Sequence, residues 1–178
     1  MMKMKIQALR SILLCACLVP GLLQAQCADG NLNASVLPSA PLSEFAETDD
    51  GTLRHRRTGL VWQRCALGQT WDGSDCLGSP STMDWTAALT AAADHDQAEQ
   101  DDWRLPNRNE LASILENRCF TPALDEEAFP SAPVLGFWSS TPVSGGDEVV
   151  WVVDLAEGAV VARSTDMLQG VRLVRGRF

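Results

Sequence analysis

The sequence predicts an α+β domain in which two helices pack on antiparallel β-hairpins and a small sheet. Three observations predict it. Two short runs, 52–55 and 60–64, flank the polar turn Arg57-Thr58-Gly59, which is the pattern of a β-hairpin. Two central segments carry helix-start residues followed by apolar residues at helical spacing. The last third alternates strand-forming runs with turns. Strands, then helices, then strands again indicate α+β rather than a parallel α/β sheet.

Lys3, Lys5 and Arg10 precede an apolar run over 12–23 and a small residue, Ala25. A charged, then apolar, then small-residue order marks a cleavable secretory signal peptide, so residues 1–25 are expected to be removed. The run is shorter than the roughly 20 residues that span a bilayer, and no later segment approaches that length. No transmembrane segment is expected. Cys27 lies where a lipoprotein would be acylated, but Gln26 before it is not the small residue that lipid attachment wants. Residues 26–50 show no periodicity and read as an irregular N-terminal arm. The domain proper is expected over 51–178.

After the hairpin, a loop rich in Gly, Asp and Ser runs from Cys65 to Cys76. A helix is predicted from Ser81 or Thr82 as N-cap to about His95, with Trp85, Leu89 and Ala92 on one face. Trp103-Arg104-Leu105-Pro106 is extended, as residues before proline are. Asn107 with Glu110 three residues on forms a capping-box pattern, opening a helix through Leu111, Ile114 and Leu115 that stops around 117–119. Glu110 and Arg104 read as structural. Strands are predicted at 136–141, 148–155, 159–164 and 171–174.

The formal net charge is −9, and loss of the leader removes three positive charges and every lysine. Such a chain lacks the clustered cations that nucleic acid demands, and it is equally unsuited to an anionic membrane surface. Acidity of this kind keeps an exported protein soluble. Cys15 and Cys17 lie in the leader, leaving Cys27, Cys65, Cys76 and Cys119. Four cysteines in an oxidising compartment form two disulfides, with three connectivities open by count. The loop between Cys65 and Cys76 is suited to closing on itself, which favours Cys65–Cys76 and leaves Cys27–Cys119 to tie the arm to the body. No CxxC pair supports zinc instead.

The segments TGLVWQRCALGQTWDGSDC, DWRLPNRNELASILE, FWSSTP, VVWVVDLAEGAV and VRLVR, in that order over roughly 51–177, resemble the bacterial Lcl C-terminal domain family. The resemblance implies a C-type-lectin-like fold, related to that of sulfatase-modifying factors. It also implies an exported binding domain at the periplasm, cell surface or exterior of a bacterium. The partner implied is a surface polysaccharide or an envelope protein. The family's namesake is associated with sulfated polysaccharides; this chain lacks a collagen-like stalk and is strongly acidic, so a sulfated polymer would need a local arginine patch.

No catalytic constellation stands out. Ser139, Ser140 and Ser144 lack a G-x-S-x-G elbow, and the first two belong to a strand. His55 and His95 are expected to be solvated or capping. Oxidase chemistry on the related fold would need paired reduced cysteines, and a protein of this composition is expected to oxidise them. The expectation is therefore a non-enzymatic binding domain, with an enzyme on a sulfatase-modifying-factor-like fold, or a structural envelope component, as alternatives. Calcium prefers six to eight oxygens. Asp72-Gly73-Ser74-Asp75 and Asp94-His95-Asp96 offer fragments of such a site, but neither completes an EF-hand. No cofactor or metal ligand is assigned.

The candidate ligand contacts are Trp71, Asp72 and Asp75 in the polar loop, where an indole can stack on a sugar ring or a partner side chain. Packing into the core or pinning of its own loop is the competing role for Trp71. Gly145 and Asp147, in a loop where lectin-like domains place binding residues, complete the set.

Overall fold

The computed structural model describes residues 26–48, 50–97, 99–146 and 148–176. The expected leader, Asp147 and the last two residues lie outside the described residues. Among the described residues no helix is long and apolar enough to cross a membrane.

The strands in chain order are β1 (Phe45–Glu47), β2 (Thr52–His55), β3 (Val61–Gln63), β4 (Thr70–Trp71), β5 (Cys76–Leu77) and β6 (Thr82–Met83). The helices α1 (Trp85–Ala93) and α2 (Arg108–Ala112) follow. Then come β7 (Gly136–Pro142), β8 (Val149–Asp154), β9 (Ala159–Ser164), β10 (Gln169–Gly170) and β11 (Val174–Arg175). The architecture is α+β. One sheet has the order β1-β2-β3-β11, a second β6-β10-β7-β8-β9, and β4-β5 form a separate ribbon. All pairings are antiparallel except β10 with β7.

Adjacent side chains on a strand point to opposite faces, and the second sheet is covered on both. Phe137 and Val153 enter a core with Phe45, Leu53, Trp62, Leu111, Ile114 and Phe129. Their neighbours Trp138 and Val152 enter another with Ala88, Ala92, Trp103, Leu105 and Leu173. This explains the nearly unbroken apolar run at the start of β7: a strand buried on both faces has no solvent side to mark.

The hairpin pairs β2 with β3, setting Leu53 opposite Trp62. The arm is more ordered than its irregular sequence predicts. It carries 3-10 turns at Ala28–Gly30 and Leu42–Glu44 and ends in β1, whose Phe45 meets Phe129 edge-on at 5.5 Å. Two buried carboxylates hold it. Glu116 accepts from the Ser39 and Ala40 N–H groups, and Asp125 accepts from those of Gln26 and Leu42.

Helix α1 begins later than predicted. Thr82–Met83 pair with β10 instead of opening the helix, and Asp84 is the N-cap, accepting from the Ala87 N–H at 2.8 Å. Its inward face is Ala88 and Ala92, whereas Leu89 is 37% exposed. Small residues let the helix lie close to Trp103 and Trp138. The capping box of α2 is present: Asn107 Oδ1 accepts from the Glu110 N–H at 2.9 Å and Glu110 Oε2 from the Asn107 N–H at 2.7 Å. The helix ends at Ala112, five residues short of the predicted stop, and Ile114 and Leu115 are buried from the turns beyond it.

The predicted final strand is split. Residues 169–175 form a strap, with β10 in the second sheet and β11 in the first. Between them Arg172, 1% exposed, lies against Phe129 and Phe137 with its Nη1 donating to the Gln63 carbonyl at 2.9 Å. Burial lowers its pKa to about 9.

Both disulfides are present, Cys65–Cys76 and Cys27–Cys119. The first closes the β4-β5 ribbon; the second ties the arm to the turns after α2.

Candidate functional site

A cleft of about 440 Å3 opens between the β4-β5 ribbon and the segment after α1. Asp50, Gln63, Gln69, Trp71, His95 and Gln97 are among its walls. The hairpin delivers Gln63 from β3, the disulfide-closed ribbon delivers Trp71, and the end of α1 delivers His95.

Gln63 is 5% exposed and organises the cleft floor. Its Oε1 accepts from the Leu173 N–H at 3.2 Å, which fixes the orientation of the amide. Its Nε2 then donates to Gln97 Oε1 at 2.8 Å and faces His95 Nε2 at 2.6 Å. A contact between two nitrogens needs a lone pair on the ring nitrogen, which places the His95 proton on Nδ1. His95 is thus an oriented cleft residue rather than a helix cap. Gln69 is also committed, its Oε1 accepting from the Ala66 N–H at 3.2 Å and its Nε2 donating to the Ser131 carbonyl at 3.2 Å.

Trp71 is half-buried and pinned from two sides. The Arg64 guanidinium lies over the ring, 4.5 Å from its centroid. Gly51 abuts it so closely that a Cβ there would stand 2.8 Å from Trp71 Cδ1. The ring lines the cleft in a fixed orientation, and a side chain already held in one orientation loses little entropy when a ligand contacts it.

Asp50 stands at the rim. Burial pushes its pKa up, but hydrogen bonds from the Thr48 and Thr52 hydroxyls and the Thr52 N–H outweigh this and leave it lowered. It is a fixed negative charge.

The other predicted contacts are not brought to the cleft. Asp72 Oδ1 accepts from the Ser74 N–H at 2.8 Å, the Ser74 hydroxyl at 3.0 Å and the Asp75 N–H at 2.8 Å. These bonds close the tip of the ribbon and lower the Asp72 pKa. Asp75 Oδ1 accepts from the Cys76 N–H at 2.7 Å. Both carboxylates face their own turn. Gly145, at φ +77° with open space around it, lies in the β7–β8 turn and does not line the cleft. Asp147 lies outside the described residues. Among the described residues, no three His, Cys, Asp or Glu side chains group to hold a metal ion.

The serines of β7 are spent on the fold. Ser139 Oγ donates to the Trp151 carbonyl at 2.7 Å and Ser140 Oγ to the Pro106 carbonyl at 3.3 Å. His55 is neither solvated nor a cap: it is 1% exposed, with Nδ1 at 2.8 Å from the Thr58 hydroxyl and Nε2 unpartnered. Arg104 and Glu110 are structural as expected, joined by two contacts of 2.8 Å.

Sequence reasoning missed Gln63, Gln69, Gln97 and Asp50. The one local signal was Gln63, a polar residue in a strand beside the buried Trp62.

Residues 51–175 match the family model described as the Lcl C-terminal domain, well over half of the chain. No curated protein matches it.

Proposed function

The chain belongs to the Lcl C-terminal domain family, and from that premise we propose that it is a non-enzymatic, surface-associated binding domain with a C-type-lectin-like arrangement. Its cleft beside Trp71 takes a segment of a neutral surface polysaccharide. The carrying observation is the pairing of a fixed indole wall with the amide of Gln97, which keeps an N–H beyond its bond to the Asp50 carbonyl, while Gln63 and Gln69 are engaged in holding the cleft floor. Sugars are recognised by this combination, in which apolar ring faces stack on an aromatic and hydroxyls exchange hydrogen bonds with planar amides.

Charge selects the class of sugar. Asp50 and Asp96 stand at the cleft, and Arg64, the nearest guanidinium to Trp71, is already engaged by Glu47 at 2.7 Å. A sulfated polymer would meet carboxylates there, so the sulfated partner implied by the resemblance is not the one this cleft favours. Pairing of all four cysteines outside the leader supports a binding role over thiol chemistry, and it suits export to the periplasm, the cell surface or beyond.

The test is binding of the exported protein to arrayed neutral and sulfated oligosaccharides, with Trp71→Ala alongside. Retention on neutral glycans, lost at least tenfold in Trp71→Ala, is the expected result. Retention on sulfated glycans alone, retention indifferent to Trp71, or binding only to an envelope protein would sink the assignment.

A further inference from the structure

The backbone nitrogen of Gln26 lies 3.2 Å from Asp125 Oδ2. Asp125 is 1% exposed. Its Oδ2 also accepts from the Leu42 N–H at 3.2 Å, and its Oδ1 accepts from the N–H groups of Glu127 at 3.0 Å and Ala128 at 3.1 Å. No arginine or histidine among the described residues forms an ion pair with it. It is a buried carboxylate served by four backbone dipoles and no cation. Burial raises its pKa despite those four bonds, the mark of a charge whose environment is incomplete.

The nitrogen beside it is the one that a cut after Ala25 would free. Glu126 N–H donates to the Gln26 carbonyl at 2.6 Å, and the Cys27–Cys119 disulfide anchors the next residue. The position of this nitrogen is therefore held from its C-terminal side and does not depend on the leader.

We propose that the chain is cut between Ala25 and Gln26 and that the α-ammonium so formed is the counter-ion of Asp125. An endopeptidase of the leader-removing class hydrolyses the bond. Water supplies the hydroxyl that completes the Ala25 carboxylate, and the nitrogen of Gln26 leaves as an amine that takes up a proton. The neutral N–H donor becomes a cation at the same place, turning a dipole contact into a buried-end ion pair. Removal of the leader thus does more than release the domain; it completes the electrostatics of the segment that closes the arm onto the body.

One competing reaction makes the proposal sharper. An N-terminal glutamine can cyclise by attack of its free amine on its own side-chain amide, losing ammonia. An amine held protonated on Asp125 has no lone pair with which to attack, so Gln26 should stay open.

The experiment uses the full chain exported from a bacterial host. Intact mass and N-terminal sequencing should give a chain starting at uncyclised Gln26. A start elsewhere, or a mass lower by one ammonia, overturns the proposal. NMR titration should place the Gln26 α-ammonium above its ordinary range of about 7.7–8.0; a value inside that range overturns it. A form exported with one additional alanine before Gln26 should melt about 3 °C lower at neutral pH, and the difference should vanish in Asp125→Asn. An unchanged Tm in the extended form, or an equal fall in both backgrounds, overturns it as well. If Asp125→Asn does not fold, the titration and the extended form decide between them.

Discussion

Arg64 holds Trp71 from above: its guanidinium stands 4.5 Å from the indole centroid while its Nη1 grips Glu47 at 2.7 Å. The arginine also donates to the Ala128 carbonyl at 3.0 Å, so the cleft wall is braced against β1 and against the loop before β7. The indole's other brace is Gly51.

Gly51 and Gly145 have similar backbones, at φ +75° and +77°, but differ in surroundings. Alanine at either meets the left-handed penalty of about 1–2 kcal/mol. At Gly51 the new methyl also collides with Trp71, and overpacking adds about 1–3 kcal/mol. Chemical denaturation should therefore show Gly51→Ala as the more damaging, with a shift in tryptophan emission that Gly145→Ala lacks. Equal losses would mean that the contact with Trp71 does not constrain the ring.

Glu110 is buried and bonds both Arg104 and the Asn107 N–H. Glu110→Ala should cost about 2 kcal/mol, since it removes the ionic partner of the part-exposed Arg104 and the acceptor of the Asn107 N–H at the helix start. Glu157→Ala, at an exposed turn, should stay within about 0.5 kcal/mol. Urea melts of the two variants check this.

The disulfides should contribute unequally. Their sequence separations are 11 and 92, and loop-closure entropy in the unfolded chain assigns about 3 kcal/mol to the short loop and about 5 to the long one. Paired Cys→Ala variants, melted side by side, should rank Cys27/Cys119 as the more destabilised. The reverse order would mean that the arm contributes little to the native state.

His55 should impose an acid-side loss of stability. Burial holds its pKa below the ordinary 6.5, the Arg57 charge adds to the effect and Glu44 opposes it. The folded state then binds fewer protons than the unfolded state just below pH 6.5. The contribution of His55 is present in full above that value and is lost as pH falls through the lowered folded pKa. Unfolding free energies across pH 5–7 should slope downward toward acid, and His55→Gln should flatten the slope. An unaltered slope would show that another group governs it.

Much of the fold was legible because its causes are local. The hairpin of β2 and β3, the Asn107–Glu110 capping box and the Cys65–Cys76 closure each rest on residues a few positions apart. What escaped reading was decided at a distance. Thr82 and Met83 carry a helix-start signal yet pair with β10, and Phe45 forms a strand because Phe129 and β2 are there to receive it. The site was less legible than the fold. Trp71, singled out from its polar loop, lines the cleft, whereas Asp72 and Asp75 lie off it and each accept through Oδ1 from their own turn. The Gln63–His95–Gln97 cluster joins residues more than 30 positions apart, and no spacing rule points to it.

The strap over 169–175 also sets the order in which the molecule can be completed. The outer edge of β3 finds no strand until β11 arrives, and Leu173 reaches Gln63 across 110 residues of chain. Contacts so distant are slow to form, because loop closure precedes their reward. A polypeptide emerging from its amino end therefore holds both sheets unfinished until nearly all of it has been delivered. The export proposed above would be helped by this delay, because sheets that close late leave a chain able to pass unfolded through a narrow channel.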